Sequence, residues 1–233
     1  MDSLRKTAVV AGTFYLLTFV SIPILALYGP VRDRNYVTGP GPDTAVFVGG
    51  LLESIVAVAC IGTAVALYPV VKLQHEGVAL GFVGARVLEA AAIGVGVSAL
   101  LSVVTLRRAG AGSDGVVAGQ ALVALYDQAF LLGQSLVPAL NAVLLGYLLY
   151  KSRLVPRVLP VLGFVGAPLL VASTVATAVG LKDMGSAWSA LGALPIALWE
   201  FSLGVWLIVK GFKPSPLTST TNAVPGAPET AFR

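Results

Sequence analysis

Glu53, Arg86, Glu89, Asp127 and Glu200 are ionisable side chains set in stretches of sequence that are otherwise strongly apolar. An ion in the hydrocarbon interior of a bilayer costs several kcal/mol, about 2.5–3.5 on insertion scales, so such residues face a bundle interior or a water-filled cavity. With all five ionised, four acids would face one base, and three negative charges would stand uncompensated. At least one acid is therefore expected to carry its proton at neutral pH. The chemistry open to such a set is the binding of protons, of a cation or of a small polar solute.

The spacing sorts these residues. Arg86 and Glu89 are three apart, share one helix face and are expected to pair. Glu53 shares a face with Gly49, Gly50, Ala57, Cys60 and Ala64, and Glu200 neighbours Ala197 and Gly204. Small residues at helical spacing admit a second helix closely, so both carboxylates are expected to point at helices and away from lipid. Pro195 leaves the carbonyl of Leu191 without its helical donor, a place for a kink. Gln120, Asp127, Gln134 and Asn141 recur every seven residues, with Pro138 on the same side. A seven-residue step drifts only about 20° per repeat on a straight helix, so the four form one polar stripe. At 1.5 Å per residue the stripe is about 30 Å long, comparable to the hydrocarbon thickness. Pro138 also frees the carbonyl of Gln134. Four polar residues in register favour the lining of a pathway over simple interhelical glue.

Other chemistries are weakened. His75 is the sole histidine and stands beside Glu76 in a short loop, so neither a histidine metal site nor a Ser-His pair is available inside the membrane. Cys60 is the single cysteine and reads as a small buried apolar residue. No metal and no cofactor is expected. Gly110 to Gly119 reads as a Gly/Ala-rich loop without a P-loop Lys-Ser/Thr. Arg107-Arg108 and the Arg153–Arg157 stretch read as surface charges among lipid headgroups.

The elements that must position these residues are membrane spans. Of 233 residues, 57% are hydrophobic and only 11% charged, against about a quarter charged in soluble domains. The mean hydropathy is +0.89. The net charge of +4 lies in short loops and does not point to nucleic acid. The hydropathy predicts an all-α polytopic bundle of about six transmembrane helices over 7–28, 44–71, 77–105, 117–150, 157–180 and 188–210. The fourth exceeds what a bilayer needs and is expected to be tilted or broken. The bundle is expected to occupy residues 1–213, with a Ser/Thr/Pro/Ala tail over 214–233 that is too poor in apolar residues to fold. The first apolar run is too long for a signal-peptide core and lacks a cleavage site, so it reads as a retained helix. Outside the spans, nine Lys and Arg lie on the side of the termini and five on the other, which predicts that both termini are cytoplasmic. Leu80–Ala85 recurs identically as Leu162–Ala167, either a parallel repeat or coincidence in a Gly/Ala/Val/Leu-rich chain.

Several stretches resemble the DUF4386 family of bacterial membrane proteins, a domain of unknown function. They are Ala66–Val71, Glu76 with Ala79–Glu89, Gly146–Pro156, and Glu200 with Trp206–Phe212. The resemblance covers most of the chain and is most specific around Arg86 and Glu89. It implies a multi-pass protein of the bacterial cytoplasmic membrane and brings no activity with it, so function rests on the site. Three functions stay open. The first is binding or transport of a small polar or cationic solute or of protons, which for six helices calls for a homo-oligomer. The second is an assembly or regulatory protein whose buried charges are structural. The third is an intramembrane enzyme acting on lipid, disfavoured because nothing supplies a nucleophile.

Overall fold

A computed structural model describes residues 3–181, 183 and 186–215. The described residues form eight α-helices and no strand: α1 Ser3–Leu17, α2 Ile24–Leu27, α3 Asp43–Val71, α4 Glu76–Arg108, α5 Gly112–Phe130, α6 Val137–Ser152, α7 Val158–Ala178 and α8 Ala187–Val209. They group into six spans long and apolar enough to cross a membrane, as expected. Along α3, Leu51, Val58 and Val65 stay exposed at a seven-residue spacing, while Val46, Glu53, Val56, Cys60 and Leu67 are buried. A stripe of exposed aliphatic side chains suits lipid, and the opposite stripe forms the core.

The spans close into a ring in chain order. α1 packs on α3, α3 on α4, α4 on α5 and α6, α6 on α7, α7 on α8, and α8 back on α1. That last seam depends on glycine. A Cβ on Gly12 would stand 2.6 Å from the carbonyl oxygen of Gly204, so no side chain fits there. Arg5 adds to it by donating from Nη1 to the carbonyl of Leu207 at 3.0 Å and from Nη2 to that of Ile208. A guanidinium there satisfies carbonyls that the last turn of α8 leaves without helical partners.

Two spans are interrupted. The first, expected to run unbroken over 7–28, instead leaves α1 through a 3₁₀ turn at Thr18–Ser21 before α2. Pro23 has no N–H to offer the carbonyl of Phe19, and the amide of Ile22 takes that carbonyl at 3.2 Å. The fourth is broken, one of the two outcomes expected: a π-helical turn at Leu131–Leu136 separates α5 from α6. Pro138 lies just beyond it and cannot donate to the carbonyl of Gln134, which favours the wider turn.

The loops correct one expectation and add partners to two others. Gly110 to Gly119 is mostly helix, since α5 begins at Gly112. Gly119 serves packing, because a Cβ there would meet Val37 at 2.7 Å, whereas Gly110 and Gly112 turn the chain at positive φ. Arg107 and Arg108 are held by protein: Arg107 Nε and Arg108 Nε each donate to the Asp43 carboxylate at 2.8 Å. Tyr36 Oη also donates to Asp43, at 2.8 Å. Burial, reinforced by that carboxylate, pushes the Tyr36 phenol up to about 12, so it remains a donor at neutral pH. At the end of the expected bundle Lys213 N donates to the carbonyl of Leu154 at 2.7 Å, and two residues on, inside the expected tail, Ser215 Oγ donates to that of Ser152 at 3.0 Å. The rest of that tail, 216–233, lies outside the described residues.

Candidate functional site

Two clusters of charged and polar side chains occupy the inside of the ring. In the first, Arg86 on α4 is 1% exposed, buried among four helices. Its Nη1 donates to Glu89 Oε2 at 3.0 Å, the intrahelical pair read from the sequence. Its Nη2 donates to Glu200 Oε1 on α8 at 2.8 Å. The guanidinium carbon lies 5.1 Å from the ring centre of Tyr15 on α1 and 5.8 Å from that of Phe82. Cys60 on α3 stands 3.6 Å from Nη1. Asn141 on α6 donates from Nδ2 to the same Glu89 oxygen at 2.7 Å. Arg86 Nε and Asn141 Oδ1 are buried with no hydrogen-bond partner among the described residues.

The second cluster surrounds Glu53 on α3, also 1% exposed. Here no cation is in contact among the described residues. Tyr126 Oη on α5 and Gln134 Nε2 in the π-helical turn donate to Oε1 at 3.1 and 2.8 Å, and Tyr28 Oη donates to Oε2 at 3.0 Å. The two phenol rings meet edge to face with centroids 5.3 Å apart, which fixes both hydroxyls on the carboxylate. Tyr28 reaches Glu53 because α3 has Gly49 there: a Cβ on Gly49 would lie 2.5 Å from the Tyr28 ring.

Both clusters border one cavity of about 390 Å³, lined by Glu53, Glu89 and Glu200. The interrupted parts of the ring line it too: Thr18, Phe19 and Ser21 from the first break, and Leu131, Gln134 and Ser135 from the second. Irregular backbone at membrane depth is tolerated where protein buries it or a cavity accepts it. From these carboxylates the cavity extends to Thr177, Ser186 and Ser189, at the end of the bundle opposite the termini.

The helix-4 stripe of the sequence is divided between three places. Gln134 serves Glu53, and Asn141 serves Glu89. Gln120 and Asp127 line a separate recess of about 230 Å³ at the bundle end, where Asp127 pairs with Arg32 at 2.7 Å. Asp127 is about 30% exposed in its side chain, so it does not share the buried environment of the other three acids. The wider π-helical turn shifts the side chains after it around the helix axis, so a stripe drawn on a straight helix does not survive.

Sequence reasoning missed the tyrosines. Tyr15, Tyr28 and Tyr126 are fully buried with their polar or aromatic groups on the charged residues. The available signal was a tyrosine inside an apolar span, where its hydroxyl needs a partner. Cys60 is buried as expected, and it also touches Arg86.

The fold and this centre define an all-helical, multi-pass membrane protein with charge buried inside its bundle. Residues 10–211 match the family model described as Domain of unknown function (DUF4386), and the chain belongs to that family. No curated protein and no solved structure matches it.

Proposed function

We propose that this protein binds, and moves across the bacterial cytoplasmic membrane, a small polar or cationic solute or protons. The central cavity is the site, and Glu53, Glu89 and Glu200 are its binding or proton-handling groups. One observation carries the reading: three carboxylates border a single cavity and, among the described residues, only Arg86 pairs with them. A bundle that needed charge only as a fastener would gain nothing from exposing an acid excess to open space, since uncompensated ions inside a membrane are costly. The interruption of the first span at the same cavity adds support, because discontinuous helices commonly form solute sites, and the fourth span brings a π-helical turn to it, a feature frequent at functional sites. Asp127 enters this reading as a residue of the bundle end, paired with Arg32. Six spans in one chain call for a homo-oligomer if transport is the activity.

A second reading has an observation of its own. Arg86 joins α4 to α8 and touches α1 and α3, which suits a protein whose buried charges hold an assembly together. Accessibility separates the two. In a Cys60→Ser background, single cysteines at Gln134 and Ser135 are treated with a membrane-impermeant thiol reagent, in intact cells and in inverted membrane vesicles. Labelling from either side is the expected result and means a wet cavity. No labelling from both sides would overturn the solute reading in favour of the structural one.

A further inference from the structure

The walls of the cavity and its charges ask for different things, and one kind of ligand meets both. The floor is acidic: Glu89 and Glu200 share the single charge of Arg86, and Glu53 has no cationic partner among the described residues. Each arginine-bound acid has only one oxygen engaged by the guanidinium, Oε2 of Glu89 and Oε1 of Glu200. The floor therefore has spare acceptors and spare negative charge, and a ligand there must bring N–H donors and positive charge.

The walls are largely apolar. Phe19, Val56, Phe130, Leu131 and Ile196 line the space above the acids. A proton alone needs no such volume, and about 390 Å³ falls within the range of small-molecule sites. A metal ion fits poorly: among the described residues no group of three or more His, Cys, Asp or Glu is arranged to hold one. An anion would meet the acid excess head on.

We propose that the ligand of this cavity is an amphipathic organic monocation, a protonated amine whose ammonium group is taken by Glu89 and Glu200 and whose apolar body lies among Phe19, Val56, Phe130 and Ile196. This rests on the solute-binding reading above and names its substrate class. The ammonium supplies donors to the carboxylates, and its charge offsets the excess that Arg86 leaves. The hydrocarbon part replaces water against aromatic and aliphatic walls, a gain that a small inorganic cation cannot make.

The test uses the full chain in lipid nanodiscs and three probes measured by calorimetry: 2-phenylethylammonium, its neutral analogue 2-phenylethanol, and ethylammonium, which lacks the apolar body. Binding of 2-phenylethylammonium is expected to exceed that of either other probe by roughly tenfold or more, since each lacks one of the two contributions. Glu200→Gln is expected to remove most of that preference over 2-phenylethanol. Because that variant can fail to fold, the probe series on the unaltered protein decides the matter. Equal binding of the alcohol would overturn the cationic assignment, and equal binding of ethylammonium would overturn the amphipathic one. No binding of any probe, with the Ser135 cysteine still labelled, would discard this ligand class and leave the solute reading standing. No binding together with no labelling from either side would discard both.

Discussion

Glu53 and Glu89 are both carboxylates buried in the same bundle and bordering the same cavity, yet they are kept there by opposite means. Glu89 shares a guanidinium with Glu200, and the three groups stand or fall together. Glu53 is held by two phenols and an amide, none of them charged. A hydroxyl can turn and accept where it formerly donated, so the Glu53 shell can accommodate a neutral side chain of the same shape. A guanidinium has five donors and no acceptor capacity, so the Arg86 shell cannot. Charge buried by ion pairing is rigid in its demands, and charge buried by neutral donors is forgiving.

Substitutions sharpen that difference. Arg86→Met leaves two buried acids without their cation and is expected to be the most damaging, about 3–5 kcal/mol in unfolding monitored in detergent. A stable Arg86→Met variant would erase the contrast. Glu53→Gln removes charge but keeps shape, and about 1–2 kcal/mol is expected in the same assay, from imperfect reorientation of its donors. Tyr28→Phe deletes one donor of three and should cost about 1 kcal/mol. Combined with Glu53→Gln, it should cost less than the sum of the two, since they share one interaction. Arg32→Ala breaks an ion pair that is about a third exposed, and a change of less than about 1 kcal/mol is expected. An effect of Arg32→Ala as large as that of Arg86→Met would mean that the bundle end, not the buried centre, governs stability.

What could be read from the sequence followed distance along the chain. Arg86 and Glu89 are three residues apart, and helical geometry alone put them on one face. Glu200 lies 114 residues from Arg86, and nothing in local spacing could name it as the second partner. The six spans were visible because hydropathy is a property of segments, whereas the breaks are properties of single turns. Pro138 marked the second break, but the π-helical turn beside it decides which way Gln134 and Asn141 point. Asp43 shows the same limit. Nothing beside Arg107 and Arg108 in the sequence names it as their partner, because it lies at the start of another span, more than 60 residues away. The repeated hexapeptides give a related lesson: a Cβ on Gly84 would meet nothing within 4 Å, while one on Gly166 would collide with Ile196 at 2.9 Å. Identical sequence on α4 and α7 therefore does unlike work, because the neighbours differ.

The ring closes through contacts between the first and the last helix, and chains are made from the N-terminus. While synthesis proceeds, α1 has no α8 to meet, and the carbonyls that Arg5 will hold lie about 200 residues ahead. Arg86 enters the bilayer with only Glu89 beside it, as a locally neutral pair, and that neutrality lowers the toll of its insertion. The second acid arrives on the final span. The nascent bundle thus stays open along one seam until α8 is in place, and a chain cut short before α8 would keep its buried cation half satisfied and its interior uncovered.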